Sequence, residues 1–370
     1  MPKRKALCIF TTMLGHNTTV RKLTDAFERL PGIAPTFVLV TREDYAKYPA
    51  PWWARATNPW HSQFLARQKA KETLAGQNFD LLFVNAWELV VGFQDLAQRV
   101  PAAAMLDSVP ATVDLQLRDR GATDWKRQLS HLVHHRAFRR AAQKFQLFLP
   151  MGSDCGDALK KEYGIAPERC DFLTLAPQDV AASLPPEAKN YTPPTRLLFV
   201  GNDFARKGGD FLLRLYAEKL AGTCTLTIVS NDPAVKTMQL PAGVEHLYAL
   251  SLEQLHGVFR DHHVFVFPTQ QDFMPQVLAE ALAFGLPCIA NDVGGVRDLV
   301  RDGETGFLME RSASLEQWAE RVRRFADPSV AAGMASGARR FAEQRLSLEV
   351  FERLLTEVTG RLQVKAQRQP

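Results

Sequence analysis

VFVFPTQQDFMPQVLAEALAFGLPCIA, residues 264–290, runs from a compact apolar stretch through a polar loop and a helical segment into a second apolar stretch. Val264–Pro268 and Leu286–Ala290 each read as a strand buried on both faces, because neither alternates and both are bounded by turn residues. Two such strands joined through a helix belong to a parallel sheet covered by helices. Within the connection Asp272 and Glu280 stand eight positions apart, and Gly285 and Pro287 close the segment. A loop carboxylate and a helix carboxylate can take the hydroxyls of a sugar and a ribose. The helix start, read around Met274–Val277, leaves amides without intrahelical partners at the positive end of the helix dipole, where they can face a phosphate. Phe273, Met274, Pro275, Gln276 and Val277 are therefore donor-binding candidates with Asp272 and Glu280. The outline is that of a nucleotide-sugar site.

The same alternation continues on either side. RLLFV (196–200), TLTIV (225–229) and HLYAL (246–250) are further strand candidates, with a helix expected over Gly209–Leu220. In the first half the candidates are Ala6–Thr11, Pro35–Val40, Leu81–Val84, Ala102–Leu106 and Gln146–Leu149. Between the halves AASLPPEAKNYTPPT (181–195) carries four prolines and no apolar periodicity, which marks a linker. From about Leu315 the chain reads as charged helix with no further strand. The expected fold class is α/β: two doubly wound Rossmann-like domains facing across a cleft, with ligands at the carboxyl ends of the strands. Residues 1–180 would form the acceptor-side domain and 196–345 the nucleotide-sugar domain, with a helix over 346–370 packing back on the first.

At 370 residues the chain exceeds one compact core. Its 46% hydrophobic and 23% charged residues are those of a water-soluble globular enzyme, and a net charge of +5 gives no reason to expect nucleic acid. Cys8, Cys155, Cys170, Cys224 and Cys288 are scattered, odd in number and without CxxC spacing, so neither a disulfide framework nor a cysteine metal site is expected. MPKRKALCIF passes from basic residues directly into a strand, unlike a signal peptide, and no apolar run has the length of a membrane span. A cytoplasmic protein is expected.

Two further segments carry chemistry. FVGNDFARKGGDFLL (199–213) ends a strand and opens a helix through Lys207, Gly208 and Gly209; Lys207 or Arg206 can supply charge to a diphosphate, or the segment is a glycine turn with a solvated basic pair. NDVGGVRDLVRDGETGFLM (291–309) places Gly294 and Gly295 after another strand, where a backbone can press close to a ligand or make a tight turn.

With these three segments in order, the second half resembles the retaining glycosyltransferases of the GT-B fold, in the large family-4 group (glycosyl transferases group 1). The family's Gly-Arg followed by Lys-Gly corresponds to Gly201, Asn202, Lys207 and Gly208, and its pair of Glu residues with seven residues between them to Asp272 and Glu280. Its closing element corresponds to Gly294, Gly295, Asp298, Asp302, Gly303, Thr305, Gly306, Phe307 and Leu308. The resemblance implies that Lys207 grips the donor diphosphate, Glu280 the ribose hydroxyls and Asp272 the sugar hydroxyls. Asn202 stands where the family has Arg, with Arg206 an alternative charge, and Asp272 where it has Glu. Transfer with retained configuration is implied, from a nucleotide-diphosphate sugar (UDP or GDP) to a hydroxyl of a glycan or lipid-linked acceptor. No Asp-x-Asp pair is present, so no metal is expected, and the leaving diphosphate would be met by Lys207, Arg206 and the helix start. A catalytically weak nucleotide-sugar binder and a nucleotide-sugar epimerase are the rival readings.

In the first half, TTMLGHNTTVRKL (11–23) offers Gly15, His16 and Asn17 to the acceptor side. MLDSVPATVD (105–114) resembles the family's catalytic-side loop, with Leu106 in place of its His and Asp107 retained. The catalytic candidates are Asp272, Asp107 and His16; Asp107 can instead bond its own loop. Over Asp124–Phe145 the residues Trp125, Leu129, Leu132, Val133, Ala137 and Ala141 recur at helical spacing among Lys126, Arg127, Arg136, Arg139, Arg140 and Lys144. Such a helix either lies on an anionic membrane or turns its apolar stripe to the core. Trp52, Trp53 and Trp60 either stack on sugar rings, sit at a membrane interface or anchor a loop.

Overall fold

The computed structural model describes residues 2–12, 17–41, 43–47, 58–119, 125–172 and 189–366. The chain divides into two compact units, Met1–Ala176 with Phe351–Pro370, and Pro177–Val350.

The first unit holds strands β1 (Arg4–Thr11), β2 (Ile33–Val40), β3 (Leu81–Val84), β4 (Ala102–Leu106) and β5 (Leu147–Pro150). They form one parallel sheet in the order β2-β1-β3-β4-β5. β3, β4 and β5 are buried at every position, which explains their unbroken apolar sequences. β2 is half-buried and carries Pro35, tolerated because an edge strand has ladder positions that need no amide. The strand order reverses between β1 and β3. There Asn85, one residue past β3, accepts from the Thr11 amide (2.8 Å) and donates to the Thr11 carbonyl (3.1 Å), closing the end of β1.

The second unit holds β6 (Thr195–Val200), β7 (Cys224–Val229), β8 (Val244–Leu247), β9 (Val264–Phe267), β10 (Cys288–Asn291) and β11 (Gly306–Met309). All pairs are parallel and the order is β11-β10-β9-β6-β7-β8. The architecture is α/β, two doubly wound parallel-sheet domains. The order reverses between β6 and β9, so the loops leaving these two strands are neighbours.

Three local expectations are corrected. The HLYAL run leaves the sheet after Leu247, because its partner β7 ends at Val229; Ala249 then takes φ +52° in the turn. β11, absent from the reading by apolar runs, forms from only four residues after the Asp302–Gly303 turn, with Gly306 packed on the Cys288 backbone. The helix expected over Gly209–Leu220 is α-helical over Gly209–Leu215 and π-helical over Tyr216–Leu220, where the Tyr216 hydroxyl donates to the Cys224 carbonyl (2.9 Å).

Helices Leu315–Arg323 and Pro328–Arg345 follow β11, the former opened by a Ser314–Gln317 capping box. The last helix, Leu348–Ala366, buries Phe351, Leu355, Val358 and Leu362 at helical spacing, and its residues from 351 onward belong to the first unit.

Candidate active site

The loops after β6 and β9 bring the two motifs of the second unit together. Lys207 Nζ and Asp272 Oδ2 form an ion pair, with 17% and 13% of the side chains exposed, and the Lys207 ammonium lies 5.1 Å from the Phe267 ring centroid. The residue expected to hold a diphosphate and the residue expected to hold a sugar therefore bind one another.

The pair is held by a stitched backbone. The Arg206 guanidinium donates to the Gln271 carbonyl (2.8 Å) and pairs with Asp203, while the Gln270 amide donates to the Arg206 carbonyl (3.0 Å). Arg206 thus joins the two loops, a role not anticipated for it. The Asn291 side chain, at the end of β10, donates to the Thr269 carbonyl (3.1 Å). Gly208 lies so close to the Pro268 carbonyl that a Cβ would overlap it.

Gly294 and Gly295 come from the third loop. A Cβ on either would overlap a carbonyl oxygen of this chain, that of Asp272 or of Phe273, so the close approach seen at these glycines is to the neighbouring loop. Gly294 has φ +53°, which glycine adopts without the Cβ penalty, and the Gly295 amide donates to the Phe273 carbonyl (2.9 Å). The glycines set the backbone of Asp272 and Phe273.

The helix start is also corrected. The helix runs Gln276–Ala283 with Pro275 before it, so Gln276 and Val277 supply the first free-facing amides; Pro275 has no N–H, and Met274 lies buried ahead of the helix. Glu280 follows one turn later, half-buried. Asn202 is occupied structurally at its oxygen, which accepts from the Asn231 amide (3.0 Å); Asn231 in turn accepts from the Ala249 amide (2.8 Å), linking the loops after β6, β7 and β8.

In the first unit Asp107 follows β4, half-buried, and accepts from the Ser108 hydroxyl (2.8 Å). Gly15 and His16 lie outside the described residues, as do Trp52, Trp53 and the side chain of Asn17. Sequence reasoning missed Glu88, in the first turn of the helix Trp87–Gly92 directly after β3. Enclosure of its carboxyl among protein atoms pushes it up to about 7, and Asp107 adds to the rise, although the side chain keeps some accessible surface. An acid in the turn after a buried strand, at the same sheet end as Asp107, was the available signal.

The helix Trp125–Ala142 divides its apolar stripe between core and surface. His134, Phe138, Ala141 and Ala142 face the core, whereas Leu132 (55% exposed) and Val133 (43%) face outward with the exposed Arg136, Arg139 and Arg140. Of the apolar stripe, Ala137 and Ala141 therefore pack inward and Leu132 and Val133 do not. His131 and His135 both contact the Asp114 carboxylate at 2.7 Å, and the Tyr163 hydroxyl lies 3.1 Å from His135 Nδ1. His134, flanked by Trp60 and Trp87, is pushed down to about 4 by burial and then by neighbouring His131. Among the described residues no group of three or more His, Cys, Asp or Glu is placed to hold a metal ion, and no helix is long and apolar enough to cross a membrane.

The fold agrees with that of known proteins. Sucrose-phosphate synthase from Thermosynechococcus elongatus superposes with a TM-score of 0.77 at 16% identity, over 98% of this chain and 100% of that one. HepE of Anabaena, solved in complex with UDP and glucose, gives 0.69 at 15% identity over 97% and 100%. The fold is that of the GT-B glycosyltransferases. Residues 194–327 match the family of glycosyl transferases group 1. A D-inositol 3-phosphate glycosyltransferase of Rhodococcus jostii is 30% identical over 213 residues, 50% of this chain. The chain spans about half the length of the curated relatives it matches, 46% in that case.

Proposed function

We propose that the protein is a retaining glycosyltransferase of the family-4 type, moving a hexosyl or related sugar from a nucleotide diphosphate to an acceptor hydroxyl. The observation that carries the reading is the meeting of Lys207 and Asp272 at the strand-order reversal of the second sheet, in the loop that leads into the Gln276–Ala283 helix, within the segment that matches the glycosyltransferase family. In this reading Lys207 and the amides of Gln276 and Val277 meet the diphosphate, Glu280 takes the ribose, and Asp272 borders the sugar. Arg206 and Asn202 shape the loop that carries Lys207, and Phe273, Met274, Pro275, Gly294 and Gly295 shape the one that carries Asp272. UDP or GDP is the nucleotide; the HepE neighbour was solved with UDP-glucose.

The carbon–oxygen bond to the diphosphate breaks as the acceptor oxygen bonds the same face of the sugar, and the acceptor proton passes to a leaving phosphate oxygen. Positive charge at Lys207 and the helix start stabilises the developing diphosphate. Asp107 and Glu88, with His16, Gly15 and Asn17, are proposed to engage a glycan or lipid-linked glycan. The exposed Leu132 and Val133 among Arg136, Arg139 and Arg140 support peripheral contact of a cytoplasmic protein with an anionic membrane, which cosedimentation with anionic vesicles tests.

A thermal-shift panel of UDP, GDP, ADP and their sugars tests the donor reading, since a ligand that binds only the native state raises its melting temperature. One nucleotide series should shift the protein, and Lys207→Ala should remove that shift. A shift that survives Lys207→Ala places the phosphate elsewhere; binding with no sugar transfer or hydrolysis makes the protein a binder.

A further inference from the structure

We infer that Asp272 acts as a built-in counter-ion to Lys207, so that the site holds a bare diphosphate weakly and favours a ligand that brings sugar hydroxyls with it. The inference rests on the donor-site reading and assigns Asp272 a role beyond touching the sugar.

Three observations support it. First, the two charges are paired directly and are mostly removed from solvent. Second, the carboxylate sits on a backbone with little freedom: Gly294 and Gly295 pack on the Asp272 and Phe273 carbonyls, and Arg206 binds the adjacent Gln271 carbonyl. Third, Lys207 is held in turn over the Phe267 ring, and its following glycine lies against the Pro268 carbonyl. The fixed backbone presents the two groups to one another, so leaving and re-forming the pair takes only side-chain rotation.

The electrostatic consequence follows from sign. A diphosphate that approaches Lys207 meets a cation whose field is largely cancelled and a carboxylate of its own charge, and water screens little in an enclosed site. A bare diphosphate offers that carboxylate no hydrogen-bond donor. A sugar-bearing ligand does, because its hydroxyls donate to the oxygens that Lys207 gives up, and a satisfied carboxylate is far less costly than an unpaired one. Once the sugar has been transferred, Asp272 returns to Lys207 and competes with the spent diphosphate. The pair thereby weakens the hold on product relative to donor.

Inorganic pyrophosphate is the probe, titrated calorimetrically into the full chain and into Asp272→Asn, Asp272→Ser and Lys207→Gln, each checked for native melting by circular dichroism. Both Asp272 variants should bind pyrophosphate at least about fivefold tighter than the parent, as expected for removal of a nearby like charge, and Lys207→Gln should bind it least. The two Asp272 variants differ in size, so a packing defect in one does not hide the effect in the other. Unchanged or weaker pyrophosphate binding in the folded Asp272 variants, with binding still lost in Lys207→Gln, overturns the counter-ion role alone. Binding retained by Lys207→Gln, or absent from every form, overturns the donor-site reading.

Discussion

Gly294 shows how much a single position can decide. It holds φ +53°, and any side chain there would collide with the carbonyl of Asp272. Gly303 has a similar backbone, φ +77°, with open space where a Cβ would stand. Gly294→Ala should therefore cost roughly 3 kcal/mol, the sum of a left-handed conformation and a backbone clash, whereas Gly303→Ala should cost only about 1 kcal/mol. Urea unfolding of the two variants checks the difference; equal losses would mean that the loop yields and does not clamp Asp272. The importance of Gly294 was legible in the sequence, since paired glycines after a strand stand out, but what it presses against was not. A glycine reports that something comes close, and only packing says whether it is ligand or protein.

At the scale of elements, the helix Trp125–Ala142 carries the clearest test. Its sequence mixes apolar and basic residues so evenly that periodicity left two orientations open. Packing splits the stripe, because Phe138, Ala141 and Ala142 fill the core and leave Leu132 and Val133 outside. Replacing Leu132 and Val133 by Ser, or Arg136 and Arg140 by Gln, should each reduce cosedimentation with vesicles containing anionic lipid by about fivefold or more, taking roughly 1 kcal/mol per basic residue near such a surface. The thermal shift from nucleotide should not change. Equal retention of all forms by anionic vesicles, or equal retention on neutral ones, would remove the membrane role from this helix. The strands were more legible than the helices. β3, β4 and β9 are buried at every position, so their apolar runs read directly, whereas β11 opens on Gly306 after a glycine turn and was invisible as a run.

At the scale of the whole molecule, the chain does not divide at a single point. Pro177–Val350 is one continuous unit, but the other is completed by residues from Phe351 onward. Phe351, Leu355, Val358 and Leu362 are each at most 3% exposed. Full burial of such side chains stabilises by about 2 kcal/mol apiece, and the four together match the roughly 5–15 kcal/mol that holds a domain folded. A chain ending at Val350 should therefore lose the fold of its first unit and keep that of the second. Limited proteolysis read by mass spectrometry should then show rapid loss of fragments from 1–176 and persistence of 189–350. Equal resistance of both segments would show that the last helix is dispensable.

The fold class and the five strands of the first sheet were readable from the sequence, which also singled out Lys207, Asp272, Glu280, Gly294 and Gly295 as candidates. Each of these follows from local chemistry: unbroken apolar runs, prolines and glycines at turns, and charges placed just beyond strands. The tertiary structure decided the order of the strands, which puts the loops after β6 and β9 side by side. It also decided that Lys207 and Asp272 bind each other, that Arg206 joins loops, and that Glu88 stands enclosed near Asp107. These are contacts between segments distant in the chain. A one-dimensional pattern records what each segment can do, and only the packing of the sheets records which segments meet.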